Sequence, residues 1–326
     1  MSKHLHTIAL VQHAPVFMNL GKSVERAVQF TTEAASKGAQ TVIFPETWLP
    51  GYPIWLDIAP KAGLWDYPPA NMMYRILFRN SIAIEDEHFR VLSETAQNEQ
   101  VLLIMGAHER VGRTLYNTIF YFLPDGSYDL HRKLMPTYTE RLIWGMGDGS
   151  TLTTIEHDHL TIGGLICWEH WMPLARAAMH DMQEHVHIAQ WPMVKDLHHI
   201  ASRQYAFEGQ CYVAACGAVL TKGQLLEGLA SVVEGEEEDQ ALTLINSIPL
   251  DADNFALKGG SAVIRPDTSY LIEPVVEEAG ILLADLDISS IEDGNLFMDS
   301  NGHYSRPDVF TLTVDAKPKS NVNIEY

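Results

Sequence analysis

In the stretch GGLICWEHWMPLAR, residues 163–176, Cys167 stands where an apolar run with two glycines, Gly163 and Gly164, gives way to charged and aromatic residues. A thiol placed there has three uses: buried filler, metal ligand or nucleophile. As a nucleophile it needs one group to take its proton and another, positive or hydrogen-donating, to hold charge that develops on the substrate. Glu46 suits the first task. It closes the apolar run TVIFPE in phase with Val42 and Phe44, and an acid continuing a core face is costly unless it is paired or neutral. Lys133 closes the run SYDLHRKL in the same manner and suits the second, and Glu140 follows it in PTYTER. Each residue taken singly has an ordinary explanation: Cys167 as core filler, Glu46 as a cap of the turn before Trp48, Lys133 as an edge-strand lysine, Glu140 as partner of Arg141. What sets them apart is that base, cation and thiol all fall at predicted strand ends.

Those ends belong to an alternating chain. HTIALVQ reads as a strand, followed by the helix SVERAVQFTTEAASKG, with Ser23 as cap and Gly38 as stop, and then by the strand TVIFPE. DEHFRVLSETAQNEQ is a helix before the strand VLLIMGAHE, and YNTIFYFL and SYDLHRKL pair across the turn residues PDG. LTIGGLIC, VHIAQWP and CYVAACGAV are strands separated by the helices PLARAAMHDMQE and HIASRQYAFEG. A hairpin over SAVIRPDTSYLIEPV and the strand GILLADLDI complete an α/β chain with a mixed sheet. Two segments break the rhythm and read as surface insertions: PGYPIWLDIAPKAGLWDYPPANM and residues 221–258, whose acidic run EGEEED reads as a solvated loop.

Forty-two acidic residues against 22 basic give a formal charge of -20, and no basic stripe offers to neutralise phosphates, so nucleic acid and anionic membranes are not expected partners. The N-terminal stretch lacks the pattern of a signal peptide, and three cysteines, Cys167, Cys211 and Cys216, cannot build a disulfide framework. A cytoplasmic protein is expected. Metal is not: although the chain has 15 histidines and CWEH sets Cys167 and His170 at ligand spacing, EHVHI matches no zincin motif and no Cys-x-x-Cys pair is present. No cofactor is called for.

The blocks FPETWLPGYP, HRKLMPTYTERLIWGMGDGS and CWEHWMPLAR resemble, in order and spacing, the Glu, Lys and Cys blocks of the nitrilase superfamily of carbon-nitrogen hydrolases, and MDSNGHYSRPD resembles the block that ends true nitrilases. The resemblance covers nearly the whole chain. It implies an α-β-β-α sandwich of two mixed sheets, one carbon-nitrogen hydrolase domain over residues 1–310 with a short tail over 311–326, and a homodimer that assembles further into larger oligomers or spirals. The two irregular segments would correspond to insertions that help such assembly, with EGEEED at or near an interface.

By the same resemblance Cys167 is the nucleophile, Glu46 the general base, Lys133 the oxyanion-stabilising cation, and Glu140 the glutamate that holds Lys133 or substrate. The implied reaction converts an organic nitrile and water to a carboxylic acid and ammonia through a cysteine thioimidate and thioester. Tyr52, Trp168 and Trp191, near the motifs in sequence, stand as candidates for an aromatic substrate wall or for core packing. An amidase or carbamoylase of the same superfamily, a cyanide-hydrolysing relative and an inactive scaffold are the alternatives. The preferred nitrile, acid-to-amide ratio and oligomer size are not legible.

Overall fold

The computed structural model describes residues 5–236 and 238–320. The first half of the chain forms β1 (Leu5–Gln12), α1 (Leu20–Ser36), β2 (Thr41–Ile43), α2 (Trp55–Ile58), α3 (Pro68–Arg79), α4 (Glu87–Glu99), β3 (Leu102–Val111), β4 (Thr114–Phe122) and β5 (Tyr128–Arg132). The second forms β6 (Thr154–His157), β7 (Leu160–Ile166), α5 (Pro173–Asp181), β8 (Val186–Gln190), α6 (Asp196–Gly209), β9 (Tyr212–Cys216), β10 (Val219–Thr221), α7 (Lys222–Ala230), α8 (Asp239–Asn246), β11 (Phe255–Ile264), β12 (Tyr270–Val276), β13 (Gly280–Asp287) and α9 (Ser289–Asn295).

Two mixed sheets result. One runs β13-β1-β2-β3-β4-β5, parallel across β1, β2 and β3 and antiparallel elsewhere. The other runs β10-β11-β9-β8-β7-β6, parallel across β7, β8 and β9, with β12 pairing on β11. Strand alternation builds two cores from the first sheet. Ile8 and Leu10 of β1 and Leu102 and Ile104 of β3 pack against the second sheet, while Ala9, Val11, Leu103 and Met105 pack under helices. Helices α1 and α4 cover the first sheet and α5 and α6 the second, so the layers are helix, sheet, sheet, helix. No helix among the described residues is long and apolar enough to cross a membrane.

Several local readings change. Helix α1 begins before Ser23, with the Asn19 side chain accepting from the Lys22 N–H, because Ser23 is buried and turned back to the Val16 carbonyl. Strand β6 (Thr154–His157) had no sequence counterpart. The two segments expected to be surface insertions both contribute to the core. Tyr52, Ile54, Trp55, Leu56 and Met72 are buried, and α3 from the first segment packs on α8 from the second. The acidic run is not simply solvated either, since Glu238 is buried and meets the Arg79 guanidinium at 2.5 Å, tying α8 to α3. Glu237 lies outside the described residues. Residues 301–320 are mostly exposed and touch the body where the Lys319 N–H donates to Asp148 Oδ2 at 2.7 Å.

Candidate active site

Three strand ends deliver the predicted residues to one buried cluster. Strand β2 stops at Ile43, so Glu46 arrives from the turn beyond it rather than in strand phase, and Thr47 takes a left-handed φ of 42° to complete that turn. The turn lies against Gly106 of β3, where a Cβ would come within 2.0 Å of the Pro45 carbonyl; only glycine lets the two backbones meet. Lys133 follows β5 directly and is held by its N–H to the Asn117 carbonyl at 2.8 Å. Cys167 follows β7 at φ 54°, a conformation a β-substituted residue adopts at a cost, and it opens a tight 3-10 turn over Cys167–Trp171. The first N–H groups of that turn have no partner within it.

Lys133 Nζ sits between two acids, 2.9 Å from Glu46 Oε1 and 2.7 Å from Glu140 Oε2. Glu140 also accepts from Tyr52 Oη on Oε1 at 2.9 Å and from the Thr137 N–H on Oε2 at 2.6 Å, so both of its oxygens are engaged. Glu46 differs. Its Oε1 accepts from Lys133 and from Asn117 Nδ2 at 2.7 Å, while its buried Oε2 has no N–H or O–H partner among the described residues. A carboxyl oxygen of Glu46, one of Glu140 and the Cys167 Sγ lie within 4.8 Å of one another. Three such groups could ligate a metal, but the Lys133 ammonium already bonds both acids in the place a cation would take.

Electrostatics divides the labour. Burial pushes the Glu46 carboxyl up to about 7, against the pull of the Lys133 charge, so it gains and loses a proton near neutrality. Burial also drives the Cys167 thiol well up, with Glu46 adding to the shift and Lys133 only partly opposing it. The resting sulfur is therefore a thiol that needs a base. Burial alone would lower Lys133; the surrounding Glu46, Cys167 and Glu140 outweigh it and hold the ammonium charged.

A cavity of about 320 Å³ opens onto this cluster, with Cys167 and Glu140 in its lining beside Tyr52, Tyr138, Trp168 and Leu257. Tyr52 and Trp168 line this cavity, Tyr52 also serving as a donor to Glu140. Trp191 does not. It is fully buried, stacked on His170 at 4.7 Å and His198 at 4.4 Å, and is absent from the cavity wall.

Two residues of the site were missed from sequence. Asn117 orients Glu46, and it continues the face of Ile119 and Tyr121 as a polar residue, the pattern that singled out Glu46. Glu169 accepts from His131 Nε2 at 3.0 Å and from the N–H groups of Leu134 at 2.7 Å and Ile166 at 2.6 Å, pinning the Lys133 strand end to the Cys167 strand end. Burial would raise its pKa, but His131 and the backbone donors outweigh burial and keep it below the usual carboxylate range.

A four-layer α-β-β-α sandwich with glutamate, lysine and cysteine converging between its sheets defines a class of hydrolases, and residues 7–295 match the carbon-nitrogen hydrolase family. The chain belongs to that family. It is 35% identical over 314 residues to an aliphatic nitrilase of Sinorhizobium fredii (strain HH103), covering 96% of this chain and 97% of the relative. It is 34% identical to nitrilase 2 of Arabidopsis thaliana, with 96% and 89% covered. Among solved structures it resembles a carbon-nitrogen hydrolase from Helicobacter pylori G27, with a TM-score of 0.67 at 19% identity over 90% of this chain and 93% of the other. Nit3 of Saccharomyces cerevisiae aligns with a TM-score of 0.64 at 18% identity over 91% and 94%.

Proposed function

We propose that the protein is a nitrilase, taking an organic nitrile and two waters to a carboxylic acid and ammonia. The observation that carries the reading is the buried cluster itself: an acid oxygen with no N–H or O–H partner among the described residues beside a thiol, with a fixed ammonium on the acid, in a chain that aligns almost end to end with nitrilases.

Glu46 takes the proton of Cys167 as the sulfur adds to the nitrile carbon, and passes it to the nitrile nitrogen, giving a thioimidate. Lys133 and the backbone N–H of Trp168 balance the charge that gathers on nitrogen. Glu46 then draws a proton from a water that adds to the same carbon. That proton and the one left on the added hydroxyl both pass through Glu46 to the nitrogen, the C–N bond breaks, ammonia leaves, and a thioester remains on Cys167. A second water, activated in the same way, releases the acid and restores the thiol. Glu140 keeps Lys133 in place, since its oxygens are occupied by Lys133, Tyr52 and Thr137.

Tyr52 and Trp168 bound the substrate cavity in this reading, and Trp191 supports the Cys167 turn from the core. The chain acts as one carbon-nitrogen hydrolase domain over residues 1–310 with a tail over 311–326, in the cytoplasm. It forms a homodimer that extends into larger oligomers, for which the exposed Leu174, Leu197, Ile200 and Phe207 on α5 and α6 supply apolar surface.

The test is ammonia release from aliphatic, aryl, arylacetonitrile and dinitrile substrates, with the matching amides and cyanide alongside, for wild type and Cys167→Ala. Turnover of nitriles that disappears in the variant is the expected result. Turnover of amides or cyanide alone moves the protein to another branch of the family, and an active Cys167→Ala protein removes the assignment.

A further inference from the structure

A second chain of buried polar groups starts at the Cys167 backbone and shares no member with the Glu46, Lys133 and Glu140 cluster. The Cys167 carbonyl lies 2.7 Å from His170 Nδ1, His170 Nε2 lies 3.0 Å from His187 Nε2, and His187 Nδ1 lies 2.8 Å from Glu184 Oε1. Tyr205 donates its hydroxyl to the other Glu184 oxygen. All four side chains are buried, and Gly163 of β7 makes room for them, since a Cβ there would come within 2.1 Å of Glu184 Oε1. Buried polar groups on this scale are costly unless every contact is satisfied, and a satisfied chain constrains where its protons sit.

The constraint can be worked out from the end. A carbonyl only accepts, so His170 Nδ1 carries hydrogen. Three contacts, from carbonyl to His170 to His187 to Glu184, need three hydrogens. Two neutral imidazoles supply two, and an ionised Glu184 supplies none. The chain is complete only when it holds one more proton. Burial lowers His170 to about 3 and drives His187 down as well, whereas burial raises Glu184 to about 8, so the extra proton resides on Glu184. Glu184 then donates to His187 Nδ1, His187 donates through Nε2 to His170, and His170 donates through Nδ1 to the Cys167 carbonyl.

We propose that Glu184, His187 and His170 are positioning residues for Cys167: one proton held in their chain fixes the His170 tautomer and thereby pins the carbonyl of the nucleophile's left-handed turn. Without that proton one contact sets lone pair against lone pair, the His170 hydrogen is free to move to Nε2 and bond His187, and the carbonyl then loses its donor and the sulfur drifts from its line of attack. This rests on Cys167 being the nucleophile. Glu184 is faced by Tyr205 from α6, His180 from α5, Tyr121 from β4 and Cys211 before β9; His187 by His180, Glu169 and His131; His170 by Glu169 and His198. Burial raises Tyr205, Tyr121 and Cys211 far enough to stay neutral through the range in question. Glu184 also lines a polar cavity of about 450 Å³ with His180, His185 and Glu208, which gives the proton a route to solvent.

The experiment is the pH dependence of kcat and KM for wild type and Glu184→Gln, on whichever nitrile the wild type turns over. In the Glu184→Gln variant the side-chain amide donates to His187 at every pH while its carbonyl accepts from Tyr205. Wild-type kcat should fall about fivefold between pH 8 and pH 9 with KM little changed, as one proton is lost. Glu184→Gln should match wild type at pH 7 and hold its plateau through that range, leaving the acid limb set by Glu46 in place. A flat wild-type profile, or a decline that the variant shares, overturns the proposal. Should Glu184→Gln fail to fold, wild-type protein labelled with ¹⁵N-histidine decides the matter. His170 as the Nδ1–H tautomer at pH 7, converting at higher pH, supports the chain, and His170 as the Nε2–H tautomer refutes it. The tautomer readout does not depend on turnover, so it separates failure here from failure of the nitrilase reading.

Discussion

At the scale of single residues, Glu46 was visible as an ionisable group extending an apolar run, an arrangement tolerated only where a partner waits, and Lys133 as a cation closing a predicted strand. Their convergence was not visible, since nothing in local pattern says which strand ends meet. Asn117 carried the same pattern and was overlooked because an amide is a weaker anomaly than a charge. Its bond to Glu46 yields a prediction. Below its pKa of about 7 Glu46 is protonated and cannot take the thiol proton, so kcat/KM should fall about tenfold per pH unit on the acid side. Asn117 donates to the ionised form, and Asn117→Leu should move that limb to higher pH by about one unit, the scale of a lost hydrogen bond to a charge. A pH–rate profile in which the limb stays put would deny Glu46 the role of base. Lys133→Ala should lower kcat on the order of 10² or more, as removal of a preorganised donor does, measured by ammonia release at saturating nitrile.

At the scale of elements, the strands of the parallel cores and the helices that flank them follow from hydrophobic period alone. The misreadings concentrate where period is masked. Proline and aromatic residues around α3 looked like a loop, yet Pro68 and Pro69 sit in the first turn, where the missing N–H costs nothing, and the face of Met72, Met73 and Ile76 is buried. Strand β6 is too short to print a pattern. What positions Glu46 is a close approach of backbones, which sequence records only as a glycine. Gly106→Ala would drive a methyl into the Pro45 carbonyl and displace the Glu46 turn. Expected are a stability loss of about 1–3 kcal/mol and a kcat loss on the order of 10², by denaturant titration and steady-state assay. A variant that loses stability but keeps kcat would show that the turn is placed by other contacts.

At the scale of the molecule, the buried acids set how stability varies with pH. Glu46 and Glu184 have folded pKa values of about 7 and about 8, above the unfolded value near 4.3. Their contribution is full below the unfolded value and is lost as pH rises through the folded ones, because the folded chain must then surrender protons or bury charge. Glu208 acts in the opposite sense: burial would raise it, but the nearby His180, hydrogen bonds from Arg176 and Gln204 and the Arg176 charge hold it at about 2, so its share is lost only in acid. The melting temperature should fall on the order of a few °C from pH 6 to pH 9. Salt should restore only the part due to repulsion among surface charges of a chain at -20, and Glu184→Gln should flatten the curve. A melting temperature constant over that range would contradict the burial assigned to these carboxyls.

The pairing of β13 with β1, Leu5 against Asp287, has a consequence for the chain as it is made. Strand β1 is made before its antiparallel neighbour, which lies about 280 residues later in the chain, roughly 15–55 s of translation. For that interval the first sheet has an open edge of unpaired N–H and C=O groups, a template for pairing with another nascent chain. Correct biogenesis therefore depends on shielding β1 until its distant mate emerges, and clipping the finished protein before residue 280 would recreate the same sticky edge.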